Sequence, residues 1–406
     1  MDKKIKVLYI NQPAGGGTLH ALIELLKNIN LDLIEPFVIC YCKNEFTKKL
    51  EKIQGCKVFY LDTPGKTPGF IHPKKARGKL FKIFYSELTV FKKYFVHDRP
   101  EVNAIYNLIQ QIQPNIVHHN CGLPVDRSSI RAASKAGVVQ VLHTRGNWSY
   151  YKGLNFYLYQ KLKKRIAAWI FYTAGEQNKY EQLYHLSPGS LFVLNDFVDR
   201  SVFRPFAPPG NFITSLDIKE NDFVITSPGR IIPWKGQHIL IEAIHLLKDM
   251  PVAFKILMVG SFEKGIGSET YLKELKDAVY KYDLKKQVIF TGNREDISTI
   301  INASDLIVHT AVKPEPQGLV IIEALFCKKK VIATNAGGAA ELIQKYGGYL
   351  TPPGDATALA EKIKNIIEEK IAYDYTLNFA QLEDDFNHVK QMNQLMEVYR
   401  YALAKN

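Results

Sequence analysis

The segment DRSVFRPFAPPGNF, residues 199–212, decides how the chain is divided. Its prolines and closing glycine break any regular helix or strand, because Pro locks φ and removes a backbone donor. Before it lie seven short β-branched or aromatic runs, KVLYIN, FVICYC, KVFYL, IVHHN, VQVLHT, AWIFYTA and LFVLND. After it come FVITSPG, FKILMVG, QVIFTG, DLIVHTA and KKVIATN. Amphipathic helical stretches separate the runs in both series, and strands alternating with helices of about 10–15 residues imply a parallel sheet with helices on both faces. The reading is an α/β chain of two doubly wound domains, residues 1–205 and 206–385, followed by a helix in 386–406 that packs back on the first domain. Ligands of such sheets bind beyond the carboxyl ends of the strands. Two facing Rossmann-like domains would therefore enclose a cleft, with one substrate held by each.

Composition bounds the answer further. A chain of 406 residues, 46% hydrophobic and 23% charged, is too long for one ordinary core and close to the average of globular proteins, which excludes wholesale disorder. The start MDKKIKVLYIN lacks a secretory signal, and no stretch reaches the ~18 apolar residues of a spanning helix, so a cytoplasmic location is expected. The five cysteines are scattered without paired CxxC units and read as reduced thiols, Cys40 and Cys42 sharing one strand face.

Charge is unevenly placed. Residues 1–205 hold 30 Lys+Arg against 15 Asp+Glu, and residues 206–406 hold 23 against 25, so the whole excess of +13 arises in the first half. Residues 66–100 carry nine basic side chains and two acidic ones, and include the aromatic-rich KKARGKLFKIFYSELTVFKKYF. Three readings fit: a solvated helix face, peripheral contact with an anionic membrane on its inner face, or attraction of an acidic glycan acceptor. A nucleic-acid-binding protein would also explain the charge, but no helix-turn-helix, zinc or RNP-like signature is present, and no nucleic-acid partner is expected.

Two motifs carry the chemistry. GRIIPWKG, residues 229–236, follows a strand, so Gly229, Arg230 and Lys235 stand at its carboxyl end, where two cations suit a departing diphosphate. PEPQGLVIIEALF, residues 314–326, places Glu315 in a loop, Gly318 at a helix start and Glu323 inside the helix. The unpaired N–H groups of Gly318, Leu319 and Val320, with the helix dipole, favour phosphate. Glu315 and Glu323 could accept sugar and ribose hydroxyls. In the first domain PAGGG, with Gly15, Gly16 and Gly17, forms a tight turn after the first strand. It lacks both the Lys-Ser/Thr ending of a P-loop and full GxGxxG spacing, which disfavours hydride transfer. His143 ends the run VQVLHT, with His118 and His119 as rivals.

On these residues the chain resembles glycosyltransferase family 4, the retaining enzymes of the GT-B two-domain fold. The resemblance is strongest over 223–343, including FTGNRED at 290–296 and ATNAGGAAELI at 333–343. It implies that Arg230 and Lys235 bind the donor diphosphate, that Glu315 and Glu323 are the family's paired glutamates, and that the glycine loop faces donor and acceptor. It also implies that His143 touches the donor sugar and that Asn293 and Arg294 lie beside the base. Gln317 stands where the family usually has an aromatic residue, and Lys328 where a helix-ending glycine is common, which predicts local strain. The implied activity is transfer from a UDP- or GDP-linked sugar to a glycan or lipid-linked acceptor, in polysaccharide, lipopolysaccharide or glycolipid synthesis. No cofactor or metal is expected, since no Asp-x-Asp pair stands at a strand end. A sugar-nucleotide epimerase of the same fold is the rival enzyme, disfavoured by Glu315 and Glu323.

Overall fold

The computed structural model describes residues 4–12, 17–61, 87–145, 153–262, 267–369 and 378–405. The chain divides into two compact units, Met1–Phe197 with Asn387–Asn406, and Val198–Phe386. The division precedes the Pro-rich run instead of falling at residue 205. Val198 and Phe203 bury in the core of the second unit, and the Phe206 N–H donates to Asn302 Oδ1 at 3.1 Å, so the run itself belongs to that unit.

The first unit is built on β1 (Ile5–Asn11), β2 (Ile34–Cys40), β3 (Lys57–Tyr60), β4 (Ile116–His119), β5 (Val139–His143), β6 (Ala168–Phe171) and β7 (Leu191–Val193). They form one parallel sheet in the order β3-β2-β1-β4-β5-β6-β7. Alternation along β1 sends Val7 and Tyr9 into one core layer and Leu8 and Ile10 into another, as burial on both faces requires. The helix His388–Ala404 completes the first layer with Met392, Leu395, Met396, Tyr399 and Ala402. All five cysteines are free thiols, Cys40 buried in this layer and Cys42 half-buried.

The second unit carries β8 (Phe223–Pro228), β9 (Phe254–Val259), β10 (Val288–Gly292), β11 (Leu306–His309), β12 (Lys330–Thr334) and β13 (Tyr349–Thr351). The order is β10-β9-β8-β11-β12-β13, all parallel. Both sheets are Rossmann-like, starting at a central strand and growing first to one side and then to the other. Among the described residues no helix is long and apolar enough to cross a membrane.

Candidate functional site

In the second sheet the strand order reverses between β8 and β11. A crevice forms beyond the carboxyl ends of strands at such a switch point. β8 runs into Gly229, whose φ of 147° suits glycine, and whose N–H donates to the Val259 carbonyl at 2.8 Å. Pro233–Lys235 then make one 3-10 turn, and Gly236 launches the helix Gln237–Leu246. A Cβ on Gly236 would lie 2.1 Å from the Thr310 carbonyl oxygen, so this turn packs backbone to backbone against the loop leaving β11. The Val312 N–H donates to the Trp234 carbonyl at 2.9 Å, and Thr310 Oγ1 donates to the Lys235 carbonyl at 3.0 Å. The loops after β8 and β11 are thereby joined.

This joint brings Lys235 to Glu315. Lys235 Nζ donates to Glu315 Oε1 at 2.5 Å, and His309 Nε2 lies 2.5 Å from Glu315 Oε2. The lysine passes over Gly229, with Nζ 4.0 Å from where a Cβ would stand, and over the Trp234 ring at 4.8 Å. Burial alone would push the Glu315 carboxyl up. The Lys235 charge and the His309 hydrogen bond outweigh it and hold the group well below the usual carboxylate range.

The Glu315 loop is seated on ATNAGGAAELI. The Gly338 N–H donates to the Glu315 carbonyl at 2.8 Å, and a Cβ on Gly338 would stand 2.0 Å from the Pro316 carbonyl oxygen. Three residues beyond Glu315, Gly318 (φ 89°) opens the helix Leu319–Phe326 without a side-chain cap. The first amides of an α-helix have no intrahelical acceptor, and together with the dipole they favour an anion. Leu319 and Val320 are half-buried there, while Gln317 and Glu323 are buried on either side of the helix start.

The other expected residues stand as follows. Arg230 is half-buried next to Gly229, and its carbonyl accepts from Gln237 Nε2 at 2.9 Å. Asn293 is exposed; Arg294 is held by Asp296 through bonds of 2.8 and 2.5 Å. Gly17 begins the helix Gly17–Asn28, whereas Gly15 and Gly16 lie outside the described residues.

In the first unit His143 ends β5 and is buried. Burial and the Arg145 charge push its pKa well below the ordinary imidazole value, so the ring is neutral. Its rivals serve the fold: His118 Nδ1 meets Tyr399 Oη at 2.8 Å, and His119 sits between Ser129 Oγ and the Gln140 amide at 2.9 Å each. A basic depression of about 730 Å³, lined by Tyr94, Arg131, Ser134, Lys161, Lys164 and Arg165, lies elsewhere in this unit. Lys161, Lys164 and Arg165 stand in or just beyond the last turn of the helix Gly153–Lys163, where they offset its negative pole, and Arg131 Nη1 donates to the Tyr94 carbonyl at 2.5 Å.

Sequence reasoning missed His309, Arg145 and the seating role of Gly338. His309 had a signal, since it ends an apolar run beside the switch point just as His143 ends its own.

Comparison with known proteins gives the family of the second half of the chain. Residues 211–402 match the model of the glycosyl transferases group 1 family. The chain carries a group 1 glycosyltransferase domain. The candidate residues from Gly229 to Gly338 all lie within that domain, whereas His143 lies outside it. The chain is 24% identical over 323 residues, 75% of its length and 80% of the relative's, to the UDP-Gal:alpha-D-GlcNAc-diphosphoundecaprenol alpha-1,3-galactosyltransferase of Escherichia coli. It is similar to HepE of Anabaena, solved in complex with UDP and glucose, with TM-score 0.77 and 25% identity over 97% of this chain and 98% of that one. It also matches a glycosyltransferase from Rickettsia africae in fold, with TM-score 0.79 and 22% identity over 99% and 100% of the two chains. The glycosyltransferase domain thus sits in a chain of GT-B fold with two Rossmann-like sheets.

Proposed function

We propose that this glycosyltransferase is a retaining, metal-independent enzyme of family 4. It moves a sugar from a UDP- or GDP-linked donor to a glycan or lipid-linked acceptor in cell-surface polysaccharide or glycolipid synthesis. The observation that carries the reading is the Lys235–Glu315 contact of 2.5 Å in the loop that opens the helix at Gly318. A diphosphate on that helix start offers Lys235 a second anion and leaves a Glu315 oxygen for sugar hydroxyls.

Arg230, Lys235 and the amides at Gly318, Leu319 and Val320 stabilise the charge that grows on the leaving phosphate. The acceptor oxygen bonds to the sugar carbon on the face from which the donor phosphate departs. The acceptor's hydroxyl proton passes to that phosphate oxygen, so positioning and charge stabilisation suffice. Glu323 takes ribose hydroxyls, Asn293 and Arg294 border the base, Gln317 shapes the sugar pocket, and His143 meets the donor sugar. The names of the relatives support donor and acceptor class: one uses UDP-Gal and a diphosphoundecaprenol-linked acceptor, and another binds UDP and glucose.

The test is a panel of nucleotide sugars scored by thermal stabilisation and slow donor hydrolysis, with and without chelator, and by the anomeric configuration of the product. Turnover in chelator with retained configuration is expected. Loss in chelator with recovery on adding a divalent ion, inverted product, or epimerised donor without transfer would each refute part of the reading. Contact with an anionic membrane through residues 66–100 belongs to the same proposal; positions up to 86 lie outside the described residues. Flotation with anionic vesicles at low salt tests it, and absence of binding removes it.

A further inference from the structure

The first unit holds a buried polar cluster of which the proposed reaction uses only His143. Arg145, two residues beyond the end of β5, reaches His143 at the end of its own strand and three groups that follow β4, β6 and β7. Its Nε donates to Asn120 Oδ1 at 2.6 Å and its Nη1 to Tyr172 Oη at 2.6 Å and to the Asp196 carboxylate. Its Nη2 lies 3.2 Å from His143 Nδ1. Both members of the Arg145–Asp196 pair are buried, so Asp196 compensates the charge while Asn120 and Tyr172 set the plane of the guanidinium.

The last contact has one chemical solution. A guanidinium keeps its proton in proteins and has only N–H groups to offer. Nδ1 of His143 must therefore be the acceptor, and a neutral imidazole that accepts at Nδ1 carries its hydrogen on Nε2. Nε2 is buried and has no hydrogen-bond partner among the described residues. A buried donor without an acceptor is unfavourable, and an oxygen of a bound ligand would relieve it.

We propose that Arg145 is the positioning residue for His143, holding its ring in the Nε2–H tautomer so that it meets the donor sugar as a hydrogen-bond donor and not as a base. The step to the sugar rests on the proposed placing of His143 in the reaction; the tautomer rests on geometry alone. Burial and the nearby charge of Arg145 act in the same direction, since both oppose a second proton on the ring.

Long-range proton–nitrogen correlation spectra of the ¹⁵N-labelled full chain test the proposal, with the His143 signal assigned by its loss in His143→Gln. The wild-type ring is expected to show an unprotonated Nδ1 and a protonated Nε2. The double variant Arg145→Met/Asp196→Asn, which leaves no carboxylate buried alone, should lose that preference. Its donor turnover should fall roughly ten- to hundredfold, as when outer partners of ligating histidines are removed, with KM changed far less. A protonated Nδ1 in the wild type overturns the proposal even if the variant does not fold, and so does an unchanged tautomer in a folded double variant. Wild-type donor turnover in His143→Gln would instead sink the placing of His143 at the sugar, an outcome the spectra report separately.

Discussion

Lys235 and Glu315 are 80 positions apart in the chain and 2.5 Å apart in space, because Thr310 and Val312 bind the loop carrying one to the turn carrying the other. Their side chains are 14% and 16% exposed, too enclosed for either charge to be left alone without cost. A double-mutant cycle with Lys235→Met and Glu315→Gln should give a coupling energy of about 0.5–3 kcal/mol in urea unfolding. Lys235→Met alone should be less stable than the double variant, since it leaves the carboxylate with His309 only. Strict additivity would mean that the contact does not form in solution.

The same carboxylate sets an acid limb. Glu315 titrates well below the usual range in the folded chain and near 4.3 in the unfolded one, so between these values the unfolded chain binds the extra proton. Its contribution is complete above the unfolded value and is lost as pH falls toward the folded one. Stability measured from about pH 5 down to about pH 3 should therefore fall less steeply in Glu315→Gln than in the wild type. Parallel slopes would show that Lys235 and His309 do not hold the group ionised.

These residues also show what a sequence can and cannot reveal. Each apolar run before Asp199 becomes a strand of the first sheet, and each quoted run after it a strand of the second, because burial on both faces demands near-continuous apolar residues. β13 escaped, since Tyr349–Thr351 is only three residues long and follows Gly347 and Gly348. The places of Lys235, Glu315 and Gly318 in the fold were legible because a strand end, a glycine and a helix start are local features. His309, six positions before Glu315, had only its place at the end of an apolar run to mark it, and Arg145 takes its role from Asp196, 51 positions away, a partner that no local pattern encodes.

Lys328 offers a test of backbone strain. It closes the helix Leu319–Phe326 at φ 56°, with its N–H donating to the Leu325 carbonyl at 2.9 Å and the Lys329 N–H to that of Ala324 at 3.0 Å. An L-residue in this conformation costs roughly 1–2 kcal/mol. The offsetting contact, Nζ at 5.3 Å from the Phe379 ring centroid, contributes about 0.5 kcal/mol at an exposed site. Strain outweighs it, so Lys328→Gly should raise stability by roughly 0.5 kcal/mol or more, and Tm by a degree or two. A lower Tm would place the value of Lys328 in its side chain.

Gly338 tests whether the seat of the Glu315 loop governs chemistry as well as stability. A methyl group there would stand 2.0 Å from the Pro316 carbonyl oxygen and 2.9 Å from Gln317 Cα, both backbone atoms that no rotamer change can move aside. Gly338→Ala should therefore cost about 1–3 kcal/mol of stability. It should also push Glu315 and the helix start at Gly318 out of register, where a shift of about 1 Å can cost roughly a hundredfold in rate. Gly354, at φ 76° with nothing within 4 Å of its absent Cβ, supplies the control. Gly354→Ala should lose about 1 kcal/mol through its backbone alone and keep its turnover. If Gly338→Ala loses stability but turns over donor like the control, the loop only completes the fold, and its seat on Gly338 does not position the reacting groups.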